Sequence, residues 1–291
     1  MENFDKIIAL FLELFDEISN NSKARKAISS SVKNIDKLAY YKKYENKPLF
    51  IKELLSNFSD MNYDISQFIK AILTANKILG KKDRQEELGL IGIGIAKEIV
   101  AKDDSSGLFF KHYIMASIYF LINYTKECSQ NIEIMNDILN EDLGQESKEA
   151  LFMYWFICSI YEESLDYKSA LEYLNISKNI ELKKNYKLIE KNMFLEKEYY
   201  FCKKLGKLDK AMNLSLELFR LKEKKELIDF ERVVVLASDF GKYSIAIEYL
   251  EKLLELEDIS AKTRALNYKK LTNLYVNRES YKRSLDRQYM R

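Results

Sequence analysis

The chain has 291 residues, with 47 Lys and Arg against 45 Asp and Glu, a net charge of +2, and 47% apolar side chains. That balance supports a full core and excludes wholesale disorder. One proline and eight glycines cannot furnish the turns of a β-sandwich, a barrel or a doubly wound sheet, so an all-α fold is expected.

From the N-terminus, Phe4, Ile7, Ile8, Phe11, Leu14, Phe15 and Ile18 recur at intervals of three and four, which predicts an amphipathic helix. Glu2, Asp5 and Glu13 stand where a signal peptide would carry a basic region. Residues 22–47 hold eight Lys and Arg against Asp36 and Glu45, a local charge of +6. Within them Lys23, Arg25, Lys26 and Lys33 are candidates for contact with nucleic acid, a reading that competes with ordinary solvated helix faces. Pro48 stands where a helix can begin, and 1–60 reads as about three helices in a small N-terminal segment, followed by one repeat domain over 61–291. Asp64 with Gln67 offers a capping box for the next helix. The stretch Leu88 to Ala96, LGLIGIGIA, mimics part of a dinucleotide-binding fingerprint. Lys97 replaces the third glycine and no strand precedes it, so glycines at a close helix crossing are expected instead. The longest apolar run, Tyr113 to Ile122, is broken by Ser117 and is about half the length of a membrane span, so no membrane contact is expected. Cys128, Cys158 and Cys202 are isolated, and small buried residues in a reducing, cytoplasmic setting are the expectation.

From Leu151 onward the spacing repeats. Tyr154, Ile157, Cys158 and Tyr161 mark one helix face, and Tyr167, Ala170, Leu174 and Ser177 mark a second after a short break. A small residue at Ala170 lets the two backbones approach, which predicts an antiparallel helical hairpin. The pattern returns at Leu195, Cys202, Gly206, Leu208 and Ala211, then at Phe230, Val233, Ala237, Gly241, Tyr243, Ala246 and Leu250. A last copy is read at Tyr268, Leu271, Tyr275, Tyr281 and Ser284; upstream, Met115, Ala116 and Tyr119 match only a first helix. This resembles the tetratricopeptide repeat, with spacings somewhat above that repeat's own length. The resemblance implies a right-handed superhelix of antiparallel hairpins whose first helices line a concave surface.

On that surface the residues between the packing positions would face a ligand. They include Tyr113, Trp155, Ser159, Glu162, Glu196, Tyr200 and Lys203, then Glu231, Val235, Ser238 and Asp239, and finally Asn273 and Asn277. Asparagine side chains can donate to and accept from the backbone of an extended peptide, and aromatic rings beside them offer pockets. Catalysis is not expected. His112 is the single histidine and sits among Phe109, Phe110 and Tyr113, and no nucleophile, phosphate-loop or metal-ligand spacing occurs. No cofactor and no metal are expected.

The long hairpins, the Lys-, Asn-, Ile- and Tyr-rich composition and the segment Ser22-Lys-Ala-Arg-Lys-Ala-Ile before the repeats resemble the intracellular peptide-pheromone receptors of Gram-positive bacteria and their phages, of the Rap, PlcR, PrgX and arbitrium-receptor type. The family implies a cytoplasmic homodimer that binds a short linear peptide and thereby modulates a protein or DNA target, as in quorum sensing or phage communication. No helix-turn-helix precedes the repeats here, which departs from the DNA-binding members. A constitutive protein-interaction scaffold is the alternative.

Overall fold

In a computed structural model, the described residues form helices joined by short links, with no strand among them. The structure describes residues 2–29, 31–33, 35–43, 45–56, 61–81, 85–98, 104–223, 225–256 and 259–289, without the side chains of 2–5, 47, 61–63 and 281–289. Phe4, Tyr281 and Ser284, which the spacing placed on packing faces, therefore have side chains outside the described set. In chain order the helices are α1 (Glu2–Asn20), α2 (Ser22–Ser29), α3 (Ile35–Lys43), α4 (Lys47–Leu55), α5 (Met61–Ile78), α6 (Gln85–Lys97), α7 (Ser105–Leu121) and α8 (Thr125–Ile138). A π-helical turn, Leu139–Leu143, follows α8. Then come α9 (Lys148–Glu163), α10 (Tyr167–Lys184), α11 (Lys191–Lys204), α12 (Leu208–Leu221), α13 (Leu227–Asp239), α14 (Tyr243–Leu254) and α15 (Ala261–Tyr289). No helix among the described residues is long and apolar enough to cross a membrane.

The chain divides into two compact units, 1–156 and 157–291. In the first, α1 and α2 pack on α5, and α5 packs on α6 and α7. Their buried side chains run without interruption from Ile7 to Ile122, so residues 1–60 and the helices after them share one core. Phe11 is fully buried, and its ring lies 5.4 Å from Phe15, 6.0 Å from Phe50 and 4.9 Å from Phe68. In the second unit α10 to α15 pack each on the next. Both units are built from helices that pack on their neighbours in the chain as hairpins.

One turn geometry joins the two helices of each hairpin. Glu45, Gly80, Asn123, Leu165, Gly206 and Gly241 all have a left-handed backbone, with φ from 54° to 72°. In every case the amide of that residue donates to the carbonyl three residues back, and the next amide donates to the carbonyl five back. These bonds satisfy carbonyls that the helix end would otherwise leave open. After five of the six turns, those other than the one at Gly80, the following helix starts at once. The residue five beyond the left-handed one is then Phe50, Cys128, Ala170, Ala211 or Ala246, each at most 4% exposed. The glycines at 206 and 241 suit this backbone because they lack a Cβ. Leu165 adopts it with a branched side chain that is 68% exposed and so contributes little packing. Leu165→Gly is expected to raise stability by about 1 kcal/mol, the order of the left-handed penalty, seen as a higher urea midpoint.

Two local expectations change. The helix expected to start at Asp64 begins at Met61, so Asp64 sits inside the first turn, where its charge favours the helix dipole instead of capping it. On α15 the packing face is offset by one residue from the one read. Asn267 and Leu274 are buried, whereas Tyr268 is 53% and Tyr275 37% exposed. Asn46 caps α4 through its side chain with Pro48 in the first turn, and Ser147 Oγ accepts from the Ala150 amide. A Cβ on Gly89 would lie 2.4 Å from Ile122 Cγ2, and one on Gly92 would lie 2.8 Å from Ile69 Cγ2. These glycines serve close helix packing.

Candidate functional site

In the first unit the expected stripe on α7 is an aromatic cluster. The Tyr113 ring lies 6.4 Å from Phe110, 6.4 Å from Phe152 and 5.6 Å from Phe156, with the Lys70 ammonium 4.4 Å from its centre. Phe120 joins through Phe156, with Lys77 5.2 Å from its ring. Such edge-to-face and cation–π contacts hold the rings against one another, Phe156 buried and the others half-buried. Trp155 is half-buried on α9, and Ser117 is buried and donates to the Tyr113 carbonyl. His112 Nδ1 lies 2.8 Å from Asn131 Oδ1, a packed polar contact inside the hairpin.

Part of the basic N-terminal run is answered by carboxylates of its own unit. Arg25 pairs with Asp36 at 2.7 Å, Lys37 with Glu53 at 2.6 Å and Lys42 with Asp16 at 2.8 Å. Lys23, Lys26 and Lys33 are exposed. Burial pushes the Cys128 thiol up to about 11 and the Cys158 thiol up to about 12, so both stay protonated at neutral pH.

In the second unit Glu162 forms an ion pair with Lys197, a residue the sequence reading had not singled out. Tyr200 packs edge-on against Tyr167 at 5.7 Å, with Lys204 5.6 Å from the Tyr200 ring. The Tyr167 phenol is held above its usual range chiefly by its hydrogen bond with Tyr200. Ser159 is half-buried, and Glu196, Lys203 and Asn277 are exposed. A further part of the predicted stripe converges on a pocket. There Glu231, Val235, Ser238 and Asp239 of α13 and Asn273 of α15 line one pocket, closed behind by Leu250 and Leu253 of α14. Lys270 faces Glu231 across it at 3.9 Å. Asn267, buried on the α15 face that the repeat pattern misread, lines it too. An asparagine within a helical face of mixed polarity carries no apolar period, so sequence reasoning had no handle on it.

A larger cavity, about 600 Å³, lies among α10, α11 and α12 and holds the buried Glu198. Its carboxylate accepts from Lys178 and Lys210, both at 2.7 Å, and so ties three consecutive helices. Burial pushes this carboxyl up, but the two lysine hydrogen bonds outweigh it and leave the group below the ordinary glutamate range. A depressed folded-state value adds stability that is complete above the unfolded glutamate value of about 4.3 and is lost as pH falls through the folded value. The urea midpoint should therefore drop more steeply below about pH 4 in this protein than in Glu198→Gln, which is expected to flatten that limb.

No protein-family model matches the chain, and no curated protein matches it in sequence. Among solved structures it is similar to BtubC (BKLC) from P. vanneervenii, at 12% identity and a TM-score of 0.47, over 80% of this chain and 90% of that one. It is also similar to a putative kinesin light chain from Podosopora anserina with nearly identical TPR-like repeats, at 14% identity and a TM-score of 0.49, over 67% of this chain and 95% of that one.

Proposed function

We propose that this chain is a non-catalytic protein-interaction module that grips a short linear segment of polypeptide on the first-helix face of its second unit. The observation that carries this reading is the convergence of Glu231, Val235, Ser238, Asp239 and Asn273 on one pocket with an apolar wall and a polar rim. A wall of that kind accepts a side chain, and the rim offers donors and acceptors for the backbone that bears it. The finer reading is a cytoplasmic, homodimeric peptide-sensing regulator, as the resemblance to peptide-pheromone receptors implies. It is supported by the helical hairpins and by the absence of catalytic spacing in the sequence.

The test is a titration of the full chain with a random-sequence peptide library, selected hits being followed by chemical-shift mapping and small-angle scattering. Hits that perturb α13 and α15 are expected. A change in particle dimensions on binding marks a receptor, whereas unchanged dimensions mark a constitutive scaffold. The module reading fails if no peptide binds, or if every hit maps away from α13 and α15.

A further inference from the structure

We infer that the pocket among α13, α14 and α15 is a receptor for a neutral carboxamide side chain, a glutamine presented by a partner polypeptide. This rests on the reading of the α13–α15 face as a polypeptide-binding surface and names what that surface reads. The pocket encloses about 250 Å³. Asn267 lines it and is 1% exposed, yet neither its Nδ2 nor its Oδ1 has a hydrogen-bond partner. Buried side-chain amides are almost always paired, so this one has both its donor and its acceptor left to offer a complementary group. Around it Val234, Leu250, Leu253 and Leu274 are buried and apolar.

The chemistry of the complementary group follows by comparing what each candidate leaves unmet. An aliphatic side chain would satisfy the walls and leave both atoms of the amide orphaned. A carboxylate would set negative oxygen against Oδ1 in an apolar enclosure, and Lys270 already faces Glu231. An ammonium has no acceptor to offer Nδ2. A primary carboxamide carries one acceptor and two donors on one carbon, so it pairs with the Asn267 amide through two N–H···O bonds. The two methylenes of glutamine then lie against the valine and leucine walls. A peptide main chain has the same polar groups, but it would have to enter the space between the helices bodily, whereas a side chain reaches in from the rim. Glu231 and Lys270, about 36% and 44% exposed and held only at 3.9 Å, are the side chains that swing aside to admit it.

The experiment uses the full chain labelled with 15N-asparagine, in which the Asn267 amide pair is identified by its loss in Asn267→Leu. Butyramide, sodium butyrate and N-acetyl-leucine-N-methylamide are titrated in turn. Butyramide is expected to shift the Asn267 amide pair at concentrations at least tenfold below either of the others. Should Asn267→Leu fail to fold, Asn267→Asp gives the assignment. An equal or stronger response to butyrate or to the leucine amide overturns the inference, as does silence towards all three. If library peptides bind at α13–α15 while butyramide is silent, the carboxamide assignment falls alone. If neither binds, the module reading falls with it.

Discussion

Phe11→Ala is expected to cost the first unit about 3–5 kcal/mol, the range for emptying a fully buried phenylalanine site. Phe11 is fully buried, and its ring touches those of Phe15 in α1, Phe50 in α4 and Phe68 in α5. The cavity would therefore open where the N-terminal helices meet the first long hairpin. Were the effect confined to α1, the rest of the unit would melt as before. The shared core predicts instead that α1, α4 and α5 lose protection together, which amide hydrogen exchange at these helices reports. Separate exchange behaviour for residues 1–60 would show that this segment folds by itself.

Ala170→Leu is expected to cost about 1–3 kcal/mol by overpacking. Ala170 is fully buried five residues after its turn, where Cys128, Ala211 and Ala246 stand in their own hairpins. Three added carbons at such a crossing must push one helix from the other or force an unfavourable rotamer. Glu172→Leu, two residues on and exposed, is the matched control, with an expected change within about 0.5 kcal/mol. Equal melting temperatures for Ala170→Leu and the unsubstituted chain would show that the crossing lies elsewhere.

Much of the architecture was legible because small residues and turn chemistry recur. Ala170, Ala211, Ala237 and Ala246 stood out among larger neighbours, and each is fully buried. Cys128 occupies the same step in its hairpin but follows Asn123 in place of a glycine, so the pattern lost its marker there. Leu165 is the harder case, since a leucine in the left-handed region breaks the local preference that turn signals rely on. The packing face of α15 was misread for a related reason. Its buried positions include Asn267, while Tyr268 and Tyr275, the residues that look like core, are 53% and 37% exposed.

The candidate site divides the same way. Asn273 and the α13 residues were placed on one stripe by helical spacing, and spacing suffices when side chains point outward from regular helices. Asn267 required knowing which face of α15 turns inward, and Glu198 required knowing that three consecutive helices bring Lys178 and Lys210 to one carboxylate. Long-range juxtapositions of that kind leave no trace in local periodicity.

The recurring left-handed turn has a consequence for how this chain can change length. Turns at 80, 123, 165 and 206 stand 43, 42 and 41 residues apart, whereas 45 to 80 and 206 to 241 each span 35. The surplus is eight, seven and six residues, a mean of two helical turns shared among the helices and links of each repeat, and seven residues within one helix rotate its buried stripe by only about 20°. A block of that size can be gained or lost while each alanine still meets its neighbour. Five added residues would swing the stripe by about 140° and aim the core at water. Length changes within a single helix of this scaffold should therefore favour heptads.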